Sequence, residues 1–100
     1  MAIAFVFESN EVNQEGYDAL MEALGRRELT APLPPGFIAH LAGPKGEGWR
    51  VVDVWDDPGS ARSFYESEQF RSMMGNAPQI AVEEWPMHRI EVASTVSRID

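Results

Sequence analysis

The stretch Gly48-Trp49-Arg50-Val51-Val52-Asp53-Val54-Trp55-Asp56-Asp57-Pro58 decides how the rest of the chain is read. Val and Trp favour the pleated, half-buried surface of a sheet, so its middle reads as a strand. Strand side chains alternate between faces, which puts Trp49, Val51, Asp53 and Trp55 on one face and Arg50, Val52 and Val54 on the other. Both faces are largely apolar, the pattern of a central strand covered on both sides. Asp57-Pro58 then reads as a helix start, with Asp as cap and Pro at the first helical position. One carboxylate, Asp53, is left between two indoles on a single face.

Upstream, Ile3, Phe5 and Phe7 alternate with Ala2, Ala4 and Val6, a second strand that is apolar on both faces. A polar turn over residues 9–12 follows. Asn13 is a helix cap, and Glu15 sits in the first turn, where a negative charge suits the macrodipole. Tyr17, Leu20, Met21 and Leu24 recur at i, i+3, i+4 and i+7, one apolar helical stripe. Pro32, Pro34 and Pro35 forbid helix and stiffen the loop that leads to Phe37. Residues 37–42 read as the next strand, in which His40 shares a face with Ile38 and Ala42. Pro44-Lys45-Gly46-Glu47-Gly48 is turn chemistry that joins it to the opening strand.

Downstream, Ala61, Phe64 and Tyr65 form one helical set, and Phe70, Met73 and Met74 another. From Phe64 to Phe70 the helix would turn by about 600°, so the two sets are out of phase. A break is expected near Ser67-Glu68, with a stop at Gly75-Asn76. Residues 80–85 and 87–92 read as a fourth strand interrupted by Pro86, which lacks the ladder N–H and so belongs at a sheet edge or bulge.

The order is strand-helix-strand, turn, strand-helix-strand. It predicts an α+β, ferredoxin-like (βαββαβ) sandwich over residues 1–92, a four-stranded antiparallel sheet with two helices on one face, followed by a polar tail over 93–100. Two helices cover one face only, and the central strands are apolar on both, so a second copy packed sheet to sheet is expected. The predicted state is a homodimer.

Composition excludes several classes of function. Sixteen acidic against eight basic residues give a net charge of −8, which argues against nucleic acid and anionic membrane surfaces. The absence of cysteine removes disulfides, thiolate catalysis and Cys-based metal sites. No basic region accompanies the apolar start, and no run approaches the roughly 20 apolar residues of a membrane span. A soluble cytoplasmic protein is expected.

Here the residues reach a family. Val52-Asp53-Val54-Trp55-Asp56-Asp57, followed by Ala61 and Phe64, resembles the third strand and second helix of the dimeric α/β barrel superfamily. Within it, the antibiotic biosynthesis monooxygenase-like group has an acidic residue two before a Trp. Trp85-Pro86-Met87-His88 is similar to the fourth strand of small actinobacterial members of unassigned role. The resemblance implies the same ferredoxin-like dimer, and a fold that hosts cofactor-free oxygenases, cyclases, isomerases and haem-degrading enzymes alike. Val54-Trp55 and residues 67–71 also resemble the haem-degrading branch. Its iron-ligating histidine would fall at Met74, where a thioether replaces the imidazole.

The polar residues define the candidate site. Asp53, enclosed by Trp49 and Trp55, is placed as a general base, with an ordinary ion pair to Arg50 or Arg89 as the alternative. His40 joins it only if the hairpin register allows. Opposite Val51 it shares the Asp53 face, opposite Val52 it does not, and a one-residue slip reverses the answer. Tyr17, Trp49, Trp55, Phe64, Tyr65 and His88 are the expected contacts to a small apolar or aromatic ligand in a pocket between helices and sheet. The histidine spacing defines no metal site, and no bound cofactor is expected. The leading function is binding of a flat aromatic or polyketide-like compound, with its oxidation or cyclisation by a cofactor-independent monooxygenase or cyclase as the chemistry such a site could carry. A non-catalytic, metabolite-binding or stress-related dimer is the alternative.

Overall fold

A computed structural model describes residues 1–29, 31–75 and 80–93. The order is β1 (Ile3–Ser9), α1 (Gln14–Ala23), β2 (Phe37–Lys45), β3 (Gly48–Trp55), α2 (Pro58–Tyr65), α3 (Glu68–Met74) and β4 (Ala81–Pro86). The four strands form one antiparallel sheet in the order β2-β3-β1-β4. This is the expected ferredoxin-like arrangement, with the two doubly apolar strands in the centre and the Pro86 strand at an edge.

Local chemistry sets the helix boundaries. The Asn13 carboxamide oxygen accepts from Gly16 N at 2.8 Å and caps α1. Asp57 accepts from Gly59 N at 2.6 Å and from Ser60 N at 3.3 Å, with Pro58 at the first helical position of α2. The expected break is present: α2 ends at Tyr65, and the Ser67 hydroxyl caps α3 by accepting from Phe70 N at 3.3 Å. The second half therefore contributes two short helices rather than one. Residues 87–93 continue no strand, so the fourth strand stops at Pro86. Asn76 of the expected stop and most of the polar tail lie outside the described residues.

The core centres on Trp55, which is fully buried beside Ala61 and packs with the buried Ile3. Ala61 lacks a side chain beyond Cβ, so α2 can approach the indole closely. Phe5, Phe37, Phe64 and Tyr65 pack around this cluster. Burying one large aromatic is worth about 3 kcal/mol at the usual area coefficient, so Trp55 is the main anchor of the helices on the sheet.

The β2–β3 hairpin decides what faces the helices. Lys45 pairs with Gly48 across a two-residue loop, Gly46-Glu47. Gly46 has φ 60°, the left-handed value that a type II′ turn demands at its first central position. The pairing runs back regularly from this turn and sets His40 opposite Asp53. A three-residue loop pairing Pro44 with Gly48 would have set His40 opposite Val52, on the other face.

At the far end of β2 the register shifts between Phe37 and Ala39. The extra residue, Ile38, forms a bulge that lets Phe37 pair with Trp55 on the same face as His40. Strict alternation from His40 would put Ile38 opposite Trp55 on this face, and it fails at the bulge. Phe37 takes that place, its ring 4.7 Å from the Trp55 ring.

The opposite sheet face carries Ala4 and Val6, Val52 and Val54, and the exposed Leu41 and Trp85, at 58% and 57% of their full accessibility. No described helix is long and apolar enough to cross a membrane.

Candidate functional site

Cross-strand pairing brings His40 and Asp53 side by side, since directly opposed residues share a face. His40 Nδ1 lies 2.6 Å from Asp53 Oδ1. The second carboxylate oxygen, Oδ2, accepts from the Tyr65 hydroxyl at 2.9 Å. That hydroxyl accepts in turn from Trp55 Nε1 at 2.9 Å. On the other side of the imidazole, Nε2 is hydrogen-bonded to the Tyr17 hydroxyl. Five side chains from α1, β2, β3 and α2 thus form one continuous chain: Tyr17, His40, Asp53, Tyr65, Trp55.

Each member is placed by a local cause. Tyr17 points inward because it opens the apolar stripe of α1. Asp53 and Trp55 are two apart on β3 and so share a face. Ala61 and Tyr65 are four apart on α2, so the helix turn that packs Ala61 on Trp55 also delivers the phenol to Asp53. Asp53 is nearly buried, at 7% of its full accessibility. It pairs with His40 rather than with Arg50 or Arg89. Arg50 instead donates to Glu8 at 3.1 Å, and Arg89 meets Glu91.

Tyr65 stands in an aromatic cage. Phe5, Phe7, Phe64 and Phe70 have ring centroids 5.0–5.6 Å from it, mostly edge to face. Burial, and next the Asp53 carboxylate, push its phenol far above its ordinary pKa of 10.0. Tyr65 therefore stays protonated and serves as a fixed donor to Asp53. Tyr17 has a more open setting, its ring 5.3 Å from Trp49 and stacked 6.0 Å from His40. The Trp49 indole N–H is buried without a hydrogen-bond partner among the described residues.

Trp55, Phe64 and Tyr65 pack on one another and on Phe5, Phe37 and Phe70 between helices and sheet. Two surface cavities lie elsewhere. A cleft of about 850 Å³ runs between the proline loop (Pro32, Leu33, Pro34, Pro35) and α2, with Phe64 on its wall. A smaller one of about 270 Å³ lies at the hairpin tip and reaches Trp49. Neither includes His40 or Asp53. His88 is exposed beyond the end of β4 and takes no part in the chain of bonds. The β4 ladder with β1 ends at Pro86, before His88. Among the described residues no three His, Asp or Glu side chains converge as a metal site.

Sequence reading paired Asp53 with His40 conditionally, but did not connect either to a tyrosine. The signal was present: Tyr17 leads the half-buried stripe of α1, and Tyr65 follows Ala61 by one helical turn.

No protein-family model matches the chain, and neither does any curated protein. Solved structures do match. SnoaB, a cofactor-independent oxygenase from Streptomyces nogalater, superposes with a TM-score of 0.64 at 12% identity, over 89% of this chain and 95% of that one. A provisionally named antibiotic biosynthesis monooxygenase from Deinococcus radiodurans gives 0.64 at 12%, over 95% and 100%. A hydroxynitrile lyase from Passiflora edulis gives 0.61 at 11%, over 91% and 97%. The chain has the fold of antibiotic biosynthesis monooxygenase-like proteins, in agreement with the resemblance in its sequence. At these identities the likeness is one of fold, and the same fold carries a lyase.

Proposed function

We propose that the chain is a homodimeric enzyme that oxidises or cyclises a small aromatic or polyketide-like compound without a bound cofactor. The observation that carries this reading is the 2.6 Å contact between His40 Nδ1 and Asp53 Oδ1 on the aromatic, helix-covered face. An imidazole held at Nδ1 by a carboxylate presents its other nitrogen as a proton acceptor. Loss of a phenolic or α-carbonyl proton leaves a carbanion, which reacts with O₂ or with an internal carbonyl. Flat aromatic walls orient such a substrate and exclude water from it. The likeness to SnoaB, a cofactor-independent oxygenase, supports the choice of reaction class.

The homodimer follows from the sheet. Leu41, Trp85, Val6 and Val52 leave an apolar face without helices, and a second copy covers it. Native mass spectrometry on protein purified from its own host reads both claims, through the dimer mass and any co-purifying aromatic compound. Incubation with anthrone under air tests the chemistry. Anthrone and one O₂ give anthraquinone and one water, so quinone absorbance and oxygen uptake must rise together above the uncatalysed rate. If neither does, the oxygenase reading is lost.

A second reading has its own support. Asp53 is 7% exposed and lines neither cavity, as befits an internal ion pair in a non-catalytic metabolite-binding dimer. In that case the cleft beside Phe64 is the binding surface.

A further inference from the structure

We infer that the proton-accepting end of the site is Tyr17, acting through His40, and that Asp53 is a positioning residue rather than the base. This inference rests on the enzyme reading above. It follows from the direction in which the bonds must run.

Trp55 Nε1–H can only donate, so the Tyr65 oxygen is its acceptor and the Tyr65 hydroxyl donates onward to Asp53 Oδ2. A carboxylate only accepts. Asp53 Oδ1 therefore receives its hydrogen from His40 Nδ1. A neutral imidazole with its proton on Nδ1 presents a lone pair at Nε2, and the Tyr17 hydroxyl donates to it. Both Asp53 oxygens are thus occupied inside the fold, by His40 and by a phenol that stays protonated. Asp53 holds the tautomer, as the carboxylate of a hydrolytic triad does for its histidine. Tyr17 takes the place of the triad serine, with a phenol in place of an alcohol.

In the resulting step a substrate C–H or O–H gives its proton to the Tyr17 oxygen. The Tyr17 proton passes to His40 Nε2, and the bonding electron pair stays on the substrate as an enolate or phenolate. The imidazolium formed lies against the Asp53 carboxylate. Around His40 stand Tyr17 of α1, Asp53 of β3 with Tyr65 of α2 behind it, and Arg26, whose guanidinium lies 5.0 Å from the centroid of the Phe37 ring packed against His40. The cation lies beyond an aromatic ring and the carboxylate is in direct contact, so the carboxylate governs the imidazole.

Imidazole ¹⁵N NMR on the whole protein tests the bond direction without any substrate. Neutral His40 is expected to carry its proton on Nδ1, and Tyr17→Phe should move the Nε2 resonance while leaving the tautomer in place. A His40 that carries its proton on Nε2 reverses the chain and overturns the inference, whatever the protein does to anthrone. With anthrone as probe, Tyr17→Phe should lower kcat by about 100-fold or more, leave KM nearly unchanged and abolish the neutral limb of the pH–rate profile. Tyr65→Phe should retain that limb. A Tyr17→Phe enzyme with the wild-type rate and profile rejects the relay while leaving the oxygenase reading intact. Wild-type protein inert toward anthrone rejects the oxygenase reading, and the NMR result alone then decides the relay.

Discussion

The two faces of the sheet are built from the same strands and the same residue types, yet they end in opposite conditions. On the helix-covered face Trp55 is fully buried, and the polar atoms of Asp53, His40 and Tyr65 are bonded to one another. On the other face Leu41 and Trp85 are more than half exposed, and Arg50 and Lys45 reach Glu8 at 3.1 Å and 2.9 Å in solvent. The difference teaches where the energy and the chemistry sit. Polar groups removed from water must find partners within the chain, which rigidifies them. Exposed ion pairs stay screened and weak. The first face is largely finished by its own chain, whereas the second carries no helix and is left unfinished.

The strongest way to break this contrast is to empty the finished face. Trp55→Ala is expected to cost about 3–5 kcal/mol and to release Tyr65 from its donor, read as a fall in the urea midpoint. A loss as small as that of an ordinary surface substitution would show that Trp55 is not the anchor of the helices.

A subtler strain on the same face comes from alkali. The folded-state pKa of Tyr65 is raised, so the stability it contributes is fully present below its ordinary pKa of 10.0. Above that value the unfolded chain loses the phenolic proton while the folded chain keeps it. Stability is then expected to fall by at most about 1.4 kcal/mol per pH unit. Denaturation measured from pH 9 to pH 11 checks this, and Tyr65→Phe should flatten the fall. An unchanged slope in that variant would assign the alkaline loss to other groups.

The unfinished face should respond in the reverse sense. Leu41→Glu is expected to shift the stability of a single chain by no more than about 0.5 kcal/mol, yet, on the proposed dimer, to sediment as monomer where the parent chain sediments as dimer. A variant that remains dimeric places the interface away from Leu41.

Much of this architecture was legible because its causes are local. Asn13 and Asp57-Pro58 cap helices by bonding backbone N–H groups two or three residues away, so they mark two helix starts directly. The apolar runs around Phe5 and Val52 mark central strands, since only a covered strand tolerates Val, Phe and Trp on both sides. The site was legible only in part. Asp53 and its indole neighbours share a face by simple alternation. The ring packing around Trp55 and Tyr65 was not legible, because it depends on side-chain volumes from four elements at once.

By itself, then, the sequence determined the order of strands and helices, the helix caps and the face on which Asp53 lies, each settled within a few residues of backbone. The tertiary structure alone decided that His40 meets Asp53. That outcome turns on the two-residue loop at Gly46-Glu47, because side chains change faces with every one-residue step along a strand. It also decided that Tyr17 and Tyr65 close on the pair from opposite sides, since their helices stand far apart along the chain and only packing on the sheet brings the two phenols together.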